Sequence, residues 1–149
     1  MRVKDILKNK RRADEILSVG PQASAMEAIK IMVEHDTGST VVLDEHGKLL
    51  GMLTFREILH RIHKDPGSLT NTKAADLMDK DPGVATPKDT VDQIRNLMTS
   101  RHLRYLPVMD EGRLQAVISF YDVARASAKS ADFENRMLRQ YISDWPAEE

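Results

Sequence analysis

Apolar positions along this chain follow two alternating rhythms. Ala25, Ile29, Met32 and Val33 recur three and four apart, one face of a helix. Two short apolar runs follow, Ser39 to Leu43 and Leu50 to Leu53, around the turn signal Asp44-Glu45-His46-Gly47. Thr54-Phe55-Arg56-Glu57 then opens another helix, which Asp65-Pro66-Gly67 breaks. Afterwards the sequence of rhythms repeats. Val91, Ile94, Leu97 and Met98 share a helical face, and Tyr105 to Met109 and Leu114 to Ser119 read as strands around Asp110-Glu111-Gly112. Pro107 is tolerable near a strand start or on an edge. Ser119-Phe120-Tyr121-Asp122 opens a helix carrying Val123 and Ala126. Ser24-Ala25-Met26-Glu27 and Thr90-Val91-Asp92-Gln93 read as capping boxes before the amphipathic helices.

The two halves match residue by residue. Gly47 pairs with Gly112, Thr54 with Ser119, Phe55 with Phe120 and Glu57 with Asp122. Upstream, Pro21 pairs with Pro87, Ser24 with Thr90 and Met32 with Met98, while Asp5-Ile6-Leu7 pairs with Asp76-Leu77-Met78. Such self-similarity marks a duplicated unit, and two copies, too few for a solenoid, are expected to close on each other. At each strand-to-helix junction a hydroxyl and free backbone N–H groups suit a phosphate. The carboxylate three residues on suits a ribose diol. A plain helix cap explains the same residues.

The order short helix, loop, helix, strand, strand, helix, with GMLTFRE and AVISFYD at the junctions, resembles the cystathionine β-synthase (CBS) domain. Tandem copies of that domain form a Bateman module, and the resemblance spans about residues 1–127. It implies an α+β fold of the α/β-type CBS pair: two repeated β-α-β-β-α units packed through their small sheets, plus a C-terminal helix. The expected divisions are residues 1–66, 67–129 and a tail at 130–149. It further implies a regulatory adenine-nucleotide sensor that signals to a partner, not a catalyst. The alternative is a ligand-free scaffold. The ligand is a regulatory one among AMP, ADP, ATP, NAD(H) and S-adenosylmethionine, with no cofactor. In CBS pairs each ligand cleft draws on both copies. Carried over, one cleft holds Arg104, Tyr105, Ser119, Tyr121 and Asp122, faced by Val19, Thr37 and Gly38. The other holds Ser39, Thr54, Arg56 and Glu57, faced by Val84, Leu103 and Arg104. The first fits the family's Ser/Thr-x-x-Asp pattern. The second has the longer Glu57 in place of Asp, so ligand is expected chiefly in the Asp122 cleft.

Composition narrows the rest. The 149 residues are 41% hydrophobic, enough for a sizeable core. A net charge of −1 gives no general drive toward nucleic acid or anionic membrane. Cys is absent, which removes disulfide and thiolate chemistry and fits a cytoplasmic setting. No apolar run approaches the roughly 20 residues of a spanning helix, and the charged N-terminus lacks a signal-peptide core. No G-x-x-x-x-G-K-[ST] loop or nucleophile–base pair is identifiable. Lys8-Asn9-Lys10-Arg11-Arg12 reads as a solvated loop or as a contact for phosphate or an acidic partner. His60 and His63 stand three apart, with His35 and His46 elsewhere, but no Cys or third close ligand supports a metal. Phe133, Met137, Leu138, Tyr141, Ile142 and Trp145 form an apolar stripe ended by Pro146. It suits packing on its own domain or a homodimer contact.

Overall fold

The computed structural model describes residues 1–9 and 16–143. Its order is α1 (Val3–Asn9), β1 (Ser18–Val19), α2 (Ala25–Glu34), β2 (Ser39–Leu43), β3 (Leu49–Thr54), α3 (Phe55–Lys64), then α4 (Ala74–Leu77), α5 (Val91–Arg101), β4 (Tyr105–Asp110), β5 (Arg113–Ser119) and α6 (Phe120–Ser143). Lys10, Arg11, Arg12, Trp145 and Pro146 lie outside the described residues.

The duplication is visible in the backbone. β1 runs parallel to β2 through Val19 and Val42, and Ala85 bridges parallel to Val108. The β2–β3 and β4–β5 hairpins each carry a register shift, at Val42/Leu43 and at Val108/Met109. Asp36 and His102, at the ends of the paired helices, both take left-handed backbone, with φ of 49° and 54°. The copies part company at the hairpin tips. Asp44 accepts from the His46 and Lys48 amides across the longer first turn. The second turn is tighter, and Glu111 and Gly112 both have positive φ, the two-residue primed geometry that suits strand twist.

The helix starts follow local chemistry. The Thr90 capping box is complete: Gln93 N donates to Thr90 Oγ1 at 3.1 Å and Thr90 N to Gln93 Oε1 at 2.9 Å. At Ser24 only the hydroxyl half forms, accepting from Glu27 N. α3 stops at Lys64 before Asp65-Pro66-Gly67. α6 meets no Pro or Gly between Phe120 and Ser143, so it continues as one 24-residue helix. The expected separate C-terminal helix is therefore the far half of α6.

Two cores form, and the leading helices are exchanged between them. Val3 and Ile6 of α1 join Ile94, Met98, Leu106 and Ile118 of the second copy. Val3 N donates to Asp89 O and Val91 N to Met1 O. Reciprocally, Ala74 of α4 joins Ala28, Val42 and Leu53 of the first copy, and Ala74 N donates to Ala23 O. Met52 and Asp79 exchange two backbone hydrogen bonds, bringing the Asp79 carbonyl within 2.6 Å of any Cβ at Gly51, so only glycine fits.

Candidate functional site

Each strand-to-helix junction ends with the next amide bound to the helix-to-strand loop of its own copy. Within the first copy Phe55 N donates to Gly38 O; within the second, Phe120 N donates to Arg104 O. These bonds fix where the junction hydroxyls stand. At the first junction Thr54 N donates to Glu57 Oε1 at 3.1 Å and Thr54 Oγ1 to Glu57 Oε2 at 2.9 Å. At the second, Ser119 N donates to Asp122 Oδ2 at 2.9 Å and Asp122 N to Ser119 Oγ at 3.1 Å. The capping reading is thus realised at both. Glu57 folds its extra methylene back and puts its carboxylate over its N-cap amide, as Asp122 does. Burial raises the proton affinity of Glu57 above that of an ordinary carboxylate; the Thr54 hydrogen bonds oppose this, and the Asp79 charge adds to it.

Two cavities flank these junctions, and each takes residues from both copies. The larger, about 320 Å³, has Thr54, Phe55 and Glu57 on one side and Leu103, Arg104 and Tyr105 on the other. The smaller, about 240 Å³, has Ser119, Asp122 and Tyr105 opposite Thr37, Ser39 and Thr40. Tyr105 separates them. Its hydroxyl accepts from Gly38 N at 3.0 Å, and its ring meets Phe55 edge-on at 6.4 Å. A Cβ on Gly38 would stand 2.6 Å from Phe55 and 2.7 Å from the Tyr105 hydroxyl. Arg104 lies with its guanidinium 5.2 Å from the Phe55 ring centre, a cation–π placement.

The structure groups several expected residues differently. Arg104 lines the Glu57 cavity and not the Asp122 cavity. Ser39, buried on β2, lines the Asp122 cavity beside Thr37 and Thr40 instead of the Glu57 one. Tyr121 is 66% exposed, lies 4.5 Å under the Arg125 guanidinium, and faces a shallow groove beyond α6 with Phe120 and His102. Val19 belongs to the first core, and Leu17, two residues earlier, reaches the Asp122 cavity. Val84 is 47% exposed and absent from the Glu57 cavity, where Pro82 stands. The counterpart of Val19 is the buried Ala85, by the matching parallel bridges.

Sequence reasoning missed Phe55, His60 and Asp79 in the larger cavity and Thr40 in the smaller. Phe55 carried a signal, its match to Phe120 in the repeat; Asp79 arrives only through the tertiary bridge to Met52. Thr40 is 1% exposed and its hydroxyl finds no partner, an unsatisfied buried group lining the Asp122 cavity. Among the described residues no three His, Cys, Asp or Glu side chains gather as metal ligands.

The duplicated unit, with its exchanged leading helices and paired junctions, matches a known family along both copies: the CBS domain sequence model fits residues 3–64 and 74–129. The chain belongs to the CBS domain family. This CBS pair is similar to a CBS-domain containing protein from Agrobacterium tumefaciens, at 31% identity and TM-score 0.80, covering 85% of this chain and 99% of that one. Two other solved CBS structures share the fold. One is the CBS domain pair of protein MJ0100 with 5′-methylthioadenosine and S-adenosylmethionine, at 24% identity and TM-score 0.74, covering 87% of this chain and 98% of that one. The other is CBSX2 with AMP, at 23% identity and TM-score 0.73, with the same coverage. The chain spans between 37% and 77% of the length of four curated relatives that it matches. No helix among the described residues is long and apolar enough to cross a membrane.

Proposed function

We propose that this CBS pair is a regulatory module, without catalytic chemistry of its own, that binds an adenine nucleotide between its two copies and signals its bound state to a partner. One observation carries the reading: each junction presents a hydroxyl and a carboxylate to a cavity whose far wall comes from the other copy. A ligand there joins the halves, so its binding energy acts on their relative placement. The adenosyl ligands of MJ0100 and CBSX2 support the same ligand class.

The Glu57 cleft is the principal site in this proposal, the reverse of the order expected from Asp122 against Glu57. Ligand pockets commonly measure about 300–1,000 Å³. The Glu57 cavity reaches that range and the Asp122 cavity falls short. Phe55 and Tyr105 offer ring faces and edges to a base, and Arg104 offers charge to a phosphate. The unpartnered Thr40 hydroxyl leaves the Asp122 cavity room for a smaller polar group. The scaffold alternative draws on one fact, that both carboxylates already serve as caps. We further propose a cytoplasmic homodimer in which the far half of α6 meets its copy.

A thermal-shift panel of AMP, ADP, ATP, NAD(H) and S-adenosylmethionine tests the reading. A ligand at one hundred times its Kd adds about 2.7 kcal/mol and raises the melting temperature by several degrees. Isothermal titration then ranks Glu57→Ala against Asp122→Ala, and Arg104→Ala should weaken nucleotide about tenfold to one hundredfold and adenosine little. No shift with any member of the panel would leave the scaffold reading standing.

A further inference from the structure

The Glu57 cavity does not end at its rim. It shares Arg56, Glu57, His60, Asp79 and Leu103 with a neighbouring open groove of about 640 Å³. Four permanent cations line that groove: Arg56, Arg61 and Lys64 from α3, and Arg101 from the end of α5. Arg56, His60 and Lys64 stand four residues apart, so they form one row along α3, about 12 Å from first to last. Three carboxylates share the groove, Glu57, Asp76 and Asp79, and Glu57 is held by its N-cap. Four cations against three carboxylates leave a positive surplus. Arg101 is partly committed, its Nη2 donating to Asp81 O at 3.0 Å and lying 3.9 Å from the Asp81 carboxylate. Arg56, Arg61 and Lys64 form no ion pair with any described carboxylate.

Resting on the nucleotide reading above, we propose that this groove is a polyphosphate annexe of the Glu57 cleft, so that the site selects nucleotides with a chain of phosphates over nucleoside monophosphates. A first phosphate leaving the cavity meets Arg104 and Arg56. Further phosphates run along α3 past His60 toward Arg61 and Lys64, about two and about three helical turns past the Thr54 junction. A monophosphate ends before them. The annexe is exposed to solvent, so its attraction is screened by salt more than contacts inside the cavity.

The test is isothermal titration of adenosine, AMP, ADP and ATP, as sodium salts without divalent cation, into the intact protein and an Arg61→Ala/Lys64→Ala variant. Exposed ion pairs contribute modestly one by one, so the two together should be worth roughly tenfold. The expected result is ATP binding roughly tenfold tighter than AMP in the intact protein. The variant should lose that preference while keeping its AMP affinity and its far-ultraviolet circular dichroism. Raising salt from about 50 mM to about 500 mM should weaken ATP more steeply than AMP on the intact protein, a readout independent of any variant. Equal affinities for AMP and ATP, or equal loss of both in the variant, overturn the annexe and leave the nucleotide site standing. Failure of all four ligands to bind overturns the nucleotide reading itself, and the annexe with it.

Discussion

Tyr105→Phe removes one oxygen from the point where the two copies meet. The ring has its reason to stay, edge-on to Phe55 at 6.4 Å and 81°. The hydroxyl is what changes: it accepts from the Gly38 amide at 3.0 Å, across 67 positions of sequence. Gly38 and Tyr105 are half-buried, so water replaces the lost acceptor only in part. A typical intramolecular hydrogen bond contributes about 0.5–1.5 kcal/mol, and a donor left unsatisfied costs about 1–3 kcal/mol. Partial access to water points to about 1–2 kcal/mol. For a chain of this size that lowers the melting temperature by about 2–8 °C. Urea unfolding at pH 7 measures the free energy directly, and an unchanged m value shows that the same surface is exposed. A loss below about 0.3 kcal/mol would refute the claim that this bond ties the copies together. Because Tyr105 lines both cavities, the same variant should also weaken nucleotide binding.

Two further expectations follow from the same structure. Burial raises the folded-state pKa of Glu57 above its ordinary value of 4.5, so the native state holds this proton more tightly than the unfolded chain does. That contribution to stability is complete below the unfolded value and is lost as pH rises through the folded one; Glu57→Gln should therefore gain stability relative to the intact protein between about pH 4 and pH 8, and a difference flat across that range in urea titrations would sink the argument. Met137, Leu138 and Ile142 are 54%, 58% and 69% exposed on the far half of α6. Truncation after Lys129 should therefore convert a dimer to a monomer by light scattering, and a truncated protein that still scatters as a dimer removes α6 from the interface.

The sequence by itself determined the elements and the duplication. Helix faces, turns and caps are local: Thr90 and Gln93 meet because they lie three apart, and Pro66-Gly67 stops α3 whatever surrounds it. The two junctions with their carboxylates were legible for the same reason, each hydroxyl and carboxylate being three residues apart on one helical turn. Tertiary structure alone decided what faces what. α1 packs on the second copy and α4 on the first, an exchange that no periodicity encodes. By contrast, the match of Val19 to Ala85, not Val84, was already carried by the spacing of Pro21 and Pro87 in the sequence, and the matching parallel bridges agree; strand alternation turns the one-residue shift into the opposite face. Arg104 went to the Glu57 cleft because its guanidinium settles against Phe55 of the other copy, a contact 49 positions away in sequence. Glu57 matched the reach of Asp122 because a capping bond folds the longer side chain back, so its length did not set where its charge stands. Side-chain length and spacing are properties of the chain; the wall opposite each cleft is supplied by the other half of the molecule, and only the folded packing of the halves could assign it.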